Sequence, residues 1–350
     1  MNQKTQNILI IKPGAMGDLL HLTPTIRGLR KRFPEARIDI LVGNKASIDL
    51  FRYHPDIAEV LVYDRRGEHR SFSALLSLWR QIRSRSYDLV INFQRSNLKT
   101  WFLTTAAMPC RILVYHKTRS RLIHAVRDHL KTVEPLGIFP DVEELDLYLA
   151  EEHRSYATAL FASHGLDKRP VIALNPGASN LIKCWSTHQF ASLGDRLAVE
   201  LGAGVIVIGG SGERELAHDI CARMNHKPLN LVEKTSMLQL GAVISNCALL
   251  VSGDTGPLHM ATAVGTPVVA LFGAIDPQRT GPVGEGHRVI RHPEIYCVPC
   301  NAKKCHNSHY LECMERISVD EVFAAVKQMM AEIKPDRPLR KNKLERQCAS

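Results

Sequence analysis

The pattern of apolar and polar residues predicts an α/β protein of two domains with mainly parallel sheets. Short runs of branched apolar residues alternate with longer helical stretches, as in βαβ units with right-handed crossovers. The alternation lapses before about residue 165 and restarts at the apolar run beginning at Pro170. A chain of 350 residues also suits two domains of ordinary size. We expect the domains to span 1–165 and 166–333, followed by a basic tail, 334–350.

The first half contains five strand signals, of which the first, Asn7–Lys12, is a branched apolar run typical of a central parallel strand. The other predicted strands are Ile38–Val42, Val60–Tyr63, Asp88–Asn92 and Arg111–Tyr115. The predicted helices are Asp18–Phe33, with Pro24 in an early turn, Ser71–Arg85 and Ser96–Thr105. A charged helix over Val142–His164 is expected to lead to a domain junction at Gly165–Arg169.

The second half repeats the alternation up to a last helix at Val319–Ile333. The alternation restarts at Pro170–Gly177, and strands are predicted to follow at Val205–Ile208, Leu229–Val232, Leu249–Ser252 and Val268–Phe272. Its helices are predicted at Thr187–Leu201, Glu213–Met224, Met237–Ser245 and Gly256–Val264. The basic tail is expected to be disordered, either as a solvated charged end or as a contact to a membrane.

The formal net charge of +10 predicts attraction to anionic partners, which include phosphorylated small molecules, an anionic membrane surface and nucleic acid. Aromatic residues are only 6% and do not interleave with a basic run, which argues against a single-strand stacking platform. Neither a signal peptide nor a stretch of spanning length is visible, so we expect a cytoplasmic protein.

The segment Asn7–His21 reads as a buried strand, a turn with Pro13, Gly14 and Gly17, and a helix that starts near Asp18. Ligands of open α/β sheets bind at the carboxyl edge, where this turn lies. A carboxylate there can accept a proton from a hydroxyl group held over the sheet. The alternative is that Asp18 only caps the helix, since Asp is a favoured N-cap residue.

A second strand–turn–helix segment, Leu249–Ala261, contains Ser-Gly-Asp-Thr-Gly-Pro. Thr255 and Gly256 at the start of the helix are suited to bind a diphosphate through backbone amides. His259 lies one helical turn beyond Asp254 and can face the same ligand. The alternative is a capped helix with a half-buried histidine.

Two further loops follow apolar strands. Asn175–Trp185 supplies the hydroxyl of Ser179 and the cation of Lys183, a pair that can clamp a phosphate. Gly209–Glu215 opens a helix, and its Glu213 could hold ribose hydroxyls or merely complement the helix dipole. The chain contains no Walker A loop, no G-x-G-x-x-G fingerprint and no Asp-x-Asp pair, so helix dipoles and cations would have to neutralise a leaving diphosphate.

In combination, these motifs resemble the bacterial lipopolysaccharide heptosyltransferases, which form glycosyltransferase family 9. The resemblance rests on Lys12–Asp18, on Asn175–Ser179 with Lys183-Cys-Trp, and on Ser252–His259 followed by Gly265-Thr-Pro-Val. It implies a GT-B fold of two facing Rossmann-like domains. It also implies inverting, metal-independent transfer of heptose from ADP-heptose to the inner core of lipopolysaccharide.

The resemblance further implies roles for single residues. Asp18 falls on the family's catalytic base. Donor contacts fall on Ser179, Lys183, Glu213, Asp254, Thr255, Gly256 and His259. On the acceptor side we expect Gly17, His21, Arg95, Lys99, Arg119 and Arg121, although the basic side chains among them can also be ordinary surface charges. The acceptor would be a lipid-linked core oligosaccharide at the inner face of the cytoplasmic membrane.

Four of the nine cysteines, Cys297, Cys300, Cys305 and Cys313, are spaced C-x2-C-x4-C-x7-C. Four thiolates can hold a structural zinc ion, and an iron–sulfur centre is a further possibility. The alternative is a loop of free thiols. No cofactor is expected to be required for catalysis.

Two other functions stay open on sequence alone. One is a transferase or epimerase that uses a different nucleotide sugar on the same fold. The other is a basic nucleic-acid-binding protein, against which the glycine-rich strand–helix turns argue.

Overall fold

The structure is a computed structural model that describes residues 5–94, 98–116, 123–139, 143–178 and 180–333. The chain divides into two compact units between Tyr148 and Leu149, which is earlier than the junction expected at 165–169. Helix 151–163 packs against helix 237–246 and so belongs to the second unit. Each unit contains one parallel sheet with helices packed on it, which confirms the predicted α/β fold class.

The first unit contains a five-stranded sheet in the order β3-β2-β1-β4-β5. Its strands are β1 (Asn7–Ile11), β2 (Arg37–Val42), β3 (Glu59–Val62), β4 (Leu89–Asn92) and β5 (Arg111–Val114). Its helices are α1 (Met16–Leu20), α2 (Thr23–Arg32), α3 (Phe72–Arg83), α4 (Leu98–Thr105) and α5 (Ala125–Leu130), with 3-10 turns at Lys45–Phe51, Glu68–Arg70 and Glu134–Leu136.

The central strand β1 is buried on both faces, as its branched apolar run predicts. Leu9 and Ile11 point to one face, where they join a core with Leu75 and Leu78 of α3 and Leu103 of α4. Because all strands are parallel, the loops after β1, β3 and β4 leave the sheet at the same carboxyl edge.

The second unit contains a six-stranded sheet in the order β11-β10-β9-β6-β7-β8. Its strands are β6 (Val171–Asn175), β7 (Gly204–Val207), β8 (Leu229–Asn230), β9 (Leu249–Gly253), β10 (Val268–Leu271) and β11 (Arg288–Ile290). Its helices are α6 (Glu151–Ser163), α7 (Thr187–Glu200), α8 (Arg214–Arg223), α9 (Met237–Asn246), α10 (Gly256–Val264), α11 (Pro277–Thr280), α12 (Glu312–Glu315) and α13 (Val319–Glu332), with 3-10 turns at Leu181–Lys183 and Ser211–Glu213.

The helix predicted over Asp18–Phe33 is wrong in its extent, since the chain forms two helices with a break at His21 and Leu22. Pro24 lies in the first turn of α2, where its missing N–H costs no helical hydrogen bond. In a continuous helix its ring would clash with the carbonyl group four residues earlier. The break therefore ends α1 at Leu20, two residues after Asp18.

The charged helix predicted over Val142–His164 is also wrong in extent, because among residues 143–164 only Glu151–Ser163 is helical. The preceding residues run without helix, and the alternate residues Leu145 and Leu147 are buried. Between them, Asp146 pairs with Arg27 of α2, and its backbone N–H donates to the Thr23 hydroxyl at 2.9 Å. These contacts attach the segment to α2 in an extended form.

No helix in the described ranges is both long enough and apolar enough to cross a membrane. The basic tail, 334–350, lies outside the described residues.

Candidate active site

In the second unit, a hydroxyl–amide network joins two neighbouring strand ends. Asn175 ends β6 and is the register partner of Ser252 in β9, and both side chains are buried. The Asn175 side-chain amide donates to the hydroxyls of Ser252 and Thr255, each at 2.9 Å. The two hydroxyl oxygens lie 3.1 Å apart. This network fixes Thr255 at the start of α10.

The first turn of α10 has backbone amides that no side chain caps among the described residues. Thr255 is the N-cap residue, but its hydroxyl contacts the Asn175 network and makes no capping bond. Pro257 follows in the first turn and has no N–H to satisfy. The N-terminus of a helix carries a partial positive charge, so this end of α10 suits an anionic group.

Lys183 and Asp254 form an ion pair at this edge, with the ammonium nitrogen 2.6 Å from a carboxylate oxygen. His259, which is buried on α10, places Nε2 3.8 Å from the other carboxylate oxygen. Burial acts to raise the pKa of Asp254. The facing His259 and the Lys183 ammonium outweigh burial and hold that pKa below its usual range. Asp254 is therefore ionised at neutral pH and orients Lys183.

Gly253 permits this arrangement because the loop that carries Lys183 packs directly on its Cα. A Cβ atom at this position would lie 2.8 Å from the carbonyl oxygen of Lys183. Any larger residue would push the loop away from the sheet edge. The glycine of the Ser-Gly-Asp-Thr turn is thus needed for a close approach rather than for an unusual backbone angle.

Glu213 lies over the Asn175–Trp185 loop, because it occupies the space that a side chain at Gly177 would fill. Its carboxylate accepts a hydrogen bond from the Gly210 backbone N–H at 2.7 Å. Glu213 therefore reaches the same sheet edge as Lys183, while it also closes the turn before α8.

In the first unit, Asp18 is exposed and stands in the first turn of α1. The N-cap residue is Ala15, so Asp18 does not have the N-cap position that was its structural alternative. A Cβ atom at Gly14 would lie 3.3 Å from an Asp18 carboxylate oxygen and 3.2 Å from Cε of Lys12. Gly14 thus allows the acidic and the basic side chain to converge on one point.

Lys12 is unusual because it is only 7% exposed at the end of the central strand. Its ammonium nitrogen lies 3.3 Å from Nε2 of His129 and 5.8 Å from the centre of the Tyr115 ring. Burial, followed by the charge of Lys12, lowers the pKa of His129 to about 3. His129 is therefore neutral and can accept a hydrogen bond from Lys12, with its Nδ1 3.5 Å from the His21 carbonyl oxygen.

Of the acceptor-side predictions, Gly17 lies in α1, and its carbonyl accepts from the His21 N–H at 3.0 Å. His21 is buried, with its ring 5.5 Å from that of His124. Lys99 is exposed in the first turn of α4. Arg95, Arg119, Arg121 and the donor-side Ser179 lie outside the described residues.

The four clustered cysteines line one cavity of about 130 Å³ in the second unit. Cys305 Sγ accepts from the Leu311 N–H at 3.3 Å. Burial, followed by the proximity of the other three cysteines, raises the pKa of the Cys313 thiol to about 11. Within the described part of the chain, no group of three or more His, Cys, Asp or Glu side chains is arranged to hold a metal ion. The metal site stays a prediction.

The family model for glycosyltransferase family 9 (heptosyltransferase) matches residues 75–311. The chain belongs to glycosyltransferase family 9. It is therefore a glycosyltransferase enzyme, and the nucleic-acid-binding alternative is set aside.

Relatives and solved structures agree with this family. The chain is 27% identical over 340 residues to lipopolysaccharide heptosyltransferase 3 of Escherichia coli, covering 91% of this chain and 96% of that protein. The structure of a family 9 glycosyltransferase from Veillonella parvula superposes with a TM-score of 0.84 at 25% identity, covering 95% and 99% of the two chains. E. coli ADP-heptose LPS heptosyltransferase II shares the fold, with a TM-score of 0.78 at 22% identity, covering 93% and 99%. The predicted GT-B fold class is thus confirmed.

Sequence analysis did not single out Asn175, Lys12 or His129 as candidate site residues, although the first two lie in the motifs that carry the resemblance. A polar residue at the end of an apolar strand was the available signal for Asn175 and Lys12, since both follow runs of buried residues. His129 had no such signal, because it is distant in sequence from Lys12 and only folding brings them together.

Proposed function

We propose that this family 9 enzyme is an inverting heptosyltransferase, which moves heptose from ADP-heptose to the lipopolysaccharide inner core with Asp18 as general base. The observation that carries the proposal is the sheet edge at Lys183, Asp254 and Thr255. The ion-paired cation of Lys183, the first turn of α10 without a side-chain cap from Thr255, and the fixed Thr255 hydroxyl support this proposal. The donor side would be the second unit and the acceptor side the first.

On the donor side, the ADP diphosphate would bind the amides at the start of α10 and compete with Asp254 for Lys183. A phosphate carries more charge than a carboxylate and can draw the ammonium toward it. Asp254 would then keep His259 as its neighbour and accept a hydrogen bond from a sugar hydroxyl. Glu213 would contact the ribose from above Gly177, and Ser179 would add a hydroxyl to the phosphates.

On the acceptor side, the hydroxyl oxygen would bond to the anomeric carbon while the bond from that carbon to the diphosphate oxygen breaks. The bonding electron pair leaves with ADP, and the hydroxyl proton passes to Asp18. Attack from the face opposite the leaving group inverts the anomeric centre. Lys183 and the amides of α10 would neutralise the leaving charge, so the proposed step uses no metal.

Lys12 would act beside Asp18 as a fixed positive charge. A fixed cation at this edge attracts an acidic acceptor. His129 would be a positioning residue, because its neutral ring accepts a hydrogen bond from the Lys12 ammonium and leaves the positive charge of that group in place. Gly17, His21, Arg95, Lys99, Arg119 and Arg121 complete the proposed acceptor side, and the acceptor is proposed to be lipid-linked at the inner face of the cytoplasmic membrane.

The test of this proposal is turnover of ADP-heptose with a core-oligosaccharide acceptor, compared with UDP-sugars under the same conditions. We expect transfer to the acceptor from ADP-heptose but not from UDP-sugars, with inversion at the anomeric carbon measured by NMR. Turnover of a UDP-sugar, or epimerisation without an acceptor, would replace this function with another one on the same fold.

We also propose that the four cysteines hold a structural metal after rotation of their thiols toward the shared cavity. Purified enzyme would then contain about one zinc or iron atom per chain, and Cys300→Ser would lower that content. The matched control is Cys110→Ser, a single cysteine in the first unit. If the purified wild type contains no metal and Cys300→Ser does not change its stability, the four cysteines are free thiols and the metal proposal is wrong.

A further inference from the structure

We propose that helices α3 and α4 of the first unit form a docking patch for the surface of an anionic lipid bilayer. The docking patch consists of Phe72, Trp79, Leu98 and Phe102. The Phe102 ring lies 6.1 Å from the Phe72 ring and 6.3 Å from the Trp79 ring. Leu98 stands one helical turn before Phe102 on α4. The four side chains therefore form one continuous apolar surface.

The outer members of the patch face solvent to a degree that is unusual for large apolar residues. Phe72 is 70% exposed and Leu98 is 86% exposed. Scattered apolar residues on a surface need no explanation, but a connected aromatic and aliphatic group indicates an interaction site. The side chains beneath it, among them Leu75 and Leu103, already form the core, so the outer ones are not needed there.

The charge around the patch selects an anionic partner. Arg65, Arg66 and Arg70 are exposed just before Phe72, and Lys99 is exposed beside Leu98. Within the described part of the chain, none of the three arginines forms an ion pair with a carboxylate. The two acidic residues of this loop are already engaged, Asp64 with the amides of Arg66 and Gly67 and Glu68 with Lys45.

Exposed apolar side chains surrounded by basic side chains, as in this docking patch, are suited to bind the interface of a bilayer. The apolar residues enter the boundary between headgroups and acyl chains, and the cations attract anionic lipids. The docking patch also lies near the carboxyl edge of the sheet, where Asp18 is located. Since β3 and β4 are parallel to β1, both α3 and α4 begin at the carboxyl edge from which the Asp18 loop leaves the sheet.

A lipid-linked acceptor would thus reach Asp18 from a bilayer that touches the beginning of the same two helices. This role in delivering the acceptor rests on the proposed function, whereas bilayer binding by the docking patch does not.

The experiment measures binding of the full chain to vesicles of phosphatidylethanolamine with phosphatidylglycerol, and to neutral phosphatidylcholine vesicles, by flotation. The variant is Phe72→Ser with Leu98→Ser, whose exposed sites leave folding intact. The matched control is Phe139→Ser with Tyr310→Ser, which are 67% and 60% exposed outside the patch. We expect the patch variant to bind anionic vesicles about tenfold more weakly or worse, and the control to bind as wild type.

A second variant, Arg66→Gln with Arg70→Gln, separates charge from apolar insertion. It should weaken binding to anionic vesicles and reduce its salt dependence, with no change on neutral vesicles. Equal vesicle binding by wild type and the Phe72/Leu98 variant would overturn the proposal, as would no binding by wild type. Loss of binding only on removal of residues 334–350 would overturn it in favour of the tail. A change from dimer to monomer in the patch variant, without vesicle binding by wild type, would reassign the patch to self-association.

Activity distinguishes this inference from the proposed function. With a delipidated, soluble acceptor the patch variant should transfer heptose at the wild-type rate, and with a vesicle-embedded acceptor it should be slower. If the wild type does not use ADP-heptose, the proposed function is refuted. If the patch variant still loses vesicle binding in that case, the docking patch remains supported.

Discussion

The carboxyl edges of the two sheets differ in how they hold charge. In the second unit, opposite charges contact each other directly, since Lys183 and Asp254 are 2.6 Å apart and both are largely buried. In the first unit, the acidic Asp18 is exposed while the basic Lys12 is buried against a neutral histidine. One edge is thus a preassembled ion pair that we propose as an anion site, with Asp254 as the partner that an anion would displace. The other presents a carboxylate to solvent, close to a buried lysine whose ammonium contacts a neutral histidine.

This difference fits two kinds of chemistry. An anion site benefits from groups that are already oriented before the ligand arrives, because their ordering cost has been met in folding. A base must contact the proton that it removes, so it has to remain accessible.

Asp18→Asn removes the proposed base and keeps the side-chain shape. Transfer should fall by about 10²- to 10⁴-fold, the range that a positioned general base contributes, while ADP affinity stays as in wild type. Steady-state kinetics and calorimetric titration with ADP measure the two quantities. The matched control is Glu35→Gln, an exposed acid of the same unit. Equal loss of ADP binding and transfer would mean that Asp18 is structural.

Lys183→Ala removes the cation of the anion site. The dissociation constant of ADP should rise about tenfold to hundredfold, or about 1.4 to 2.8 kcal/mol. Stability should fall as well, because Asp254 loses its nearest positive charge while buried.

Lys168→Ala, at an exposed lysine of the same unit, is the control for Lys183→Ala. The double variant Lys183→Ala with Asp254→Asn should recover stability but not ADP affinity. An unchanged dissociation constant would remove Lys183 from the site. Since the pKa of Asp254 is lowered, the pair's stabilisation is present above the ordinary carboxyl range and is lost only as the pH falls below it.

Gly253→Ala tests the close approach of the Lys183 loop. The added methyl group would meet the Lys183 carbonyl oxygen, so the loop must shift and the free energy of unfolding should drop by about 1 to 3 kcal/mol. ADP affinity should fall with it. Gly212→Ala is the control, because a Cβ atom there meets open space. Chemical denaturation of both variants gives the comparison, and equal stability would show that the loop yields without cost.

His129→Gln tests the neutral support of Lys12 through the pH dependence of stability. The pKa of His129 is about 3 in the native protein against an ordinary 6.5, so the unfolded chain binds a proton that the native one does not. Stability should therefore decrease as the pH falls from 6.5 toward 3, by at most about 1.4 kcal/mol per pH unit for this group. His54, with a pKa also lowered to about 3 by burial, adds a similar slope.

In His129→Gln that slope should become shallower, since the amide oxygen can still accept from Lys12 without titrating. Urea unfolding at several pH values measures it, with His188→Gln at an exposed histidine as control. An identical slope in wild type and variant would show that folding does not lower the pKa of His129.

Most of the strands and the helices with strong patterns were predictable from sequence, and α10 begins and ends where predicted. The two helices wrong in extent each have a physical reason. The ring of Pro24 breaks the first, and the ion pair of Arg27 with Asp146 holds the start of the second in an extended form. That ion pair joins residues far apart in the chain, and the spacing of apolar residues along the sequence cannot predict it.

The candidate site shows the same division. Lys183, Asp254, Thr255 and His259 were predictable because each lies in a strand–turn–helix motif. Their mutual pairing was not, because neither the 2.6 Å contact of Lys183 with Asp254 nor the Asn175 network connects neighbours in sequence.

The order of residues alone determined two parallel-sheet units, the glycine turns at the strand ends, and the family to which these motifs belong. Only the tertiary structure decided that Lys12 is buried against His129, that Lys183 is neutralised by Asp254, and that Phe72 and Phe102 meet on one surface. The physical reason is that strand and helix patterns depend on nearest neighbours along the chain. Charge pairing and surface continuity depend on residues that the sheet brings together from distant positions.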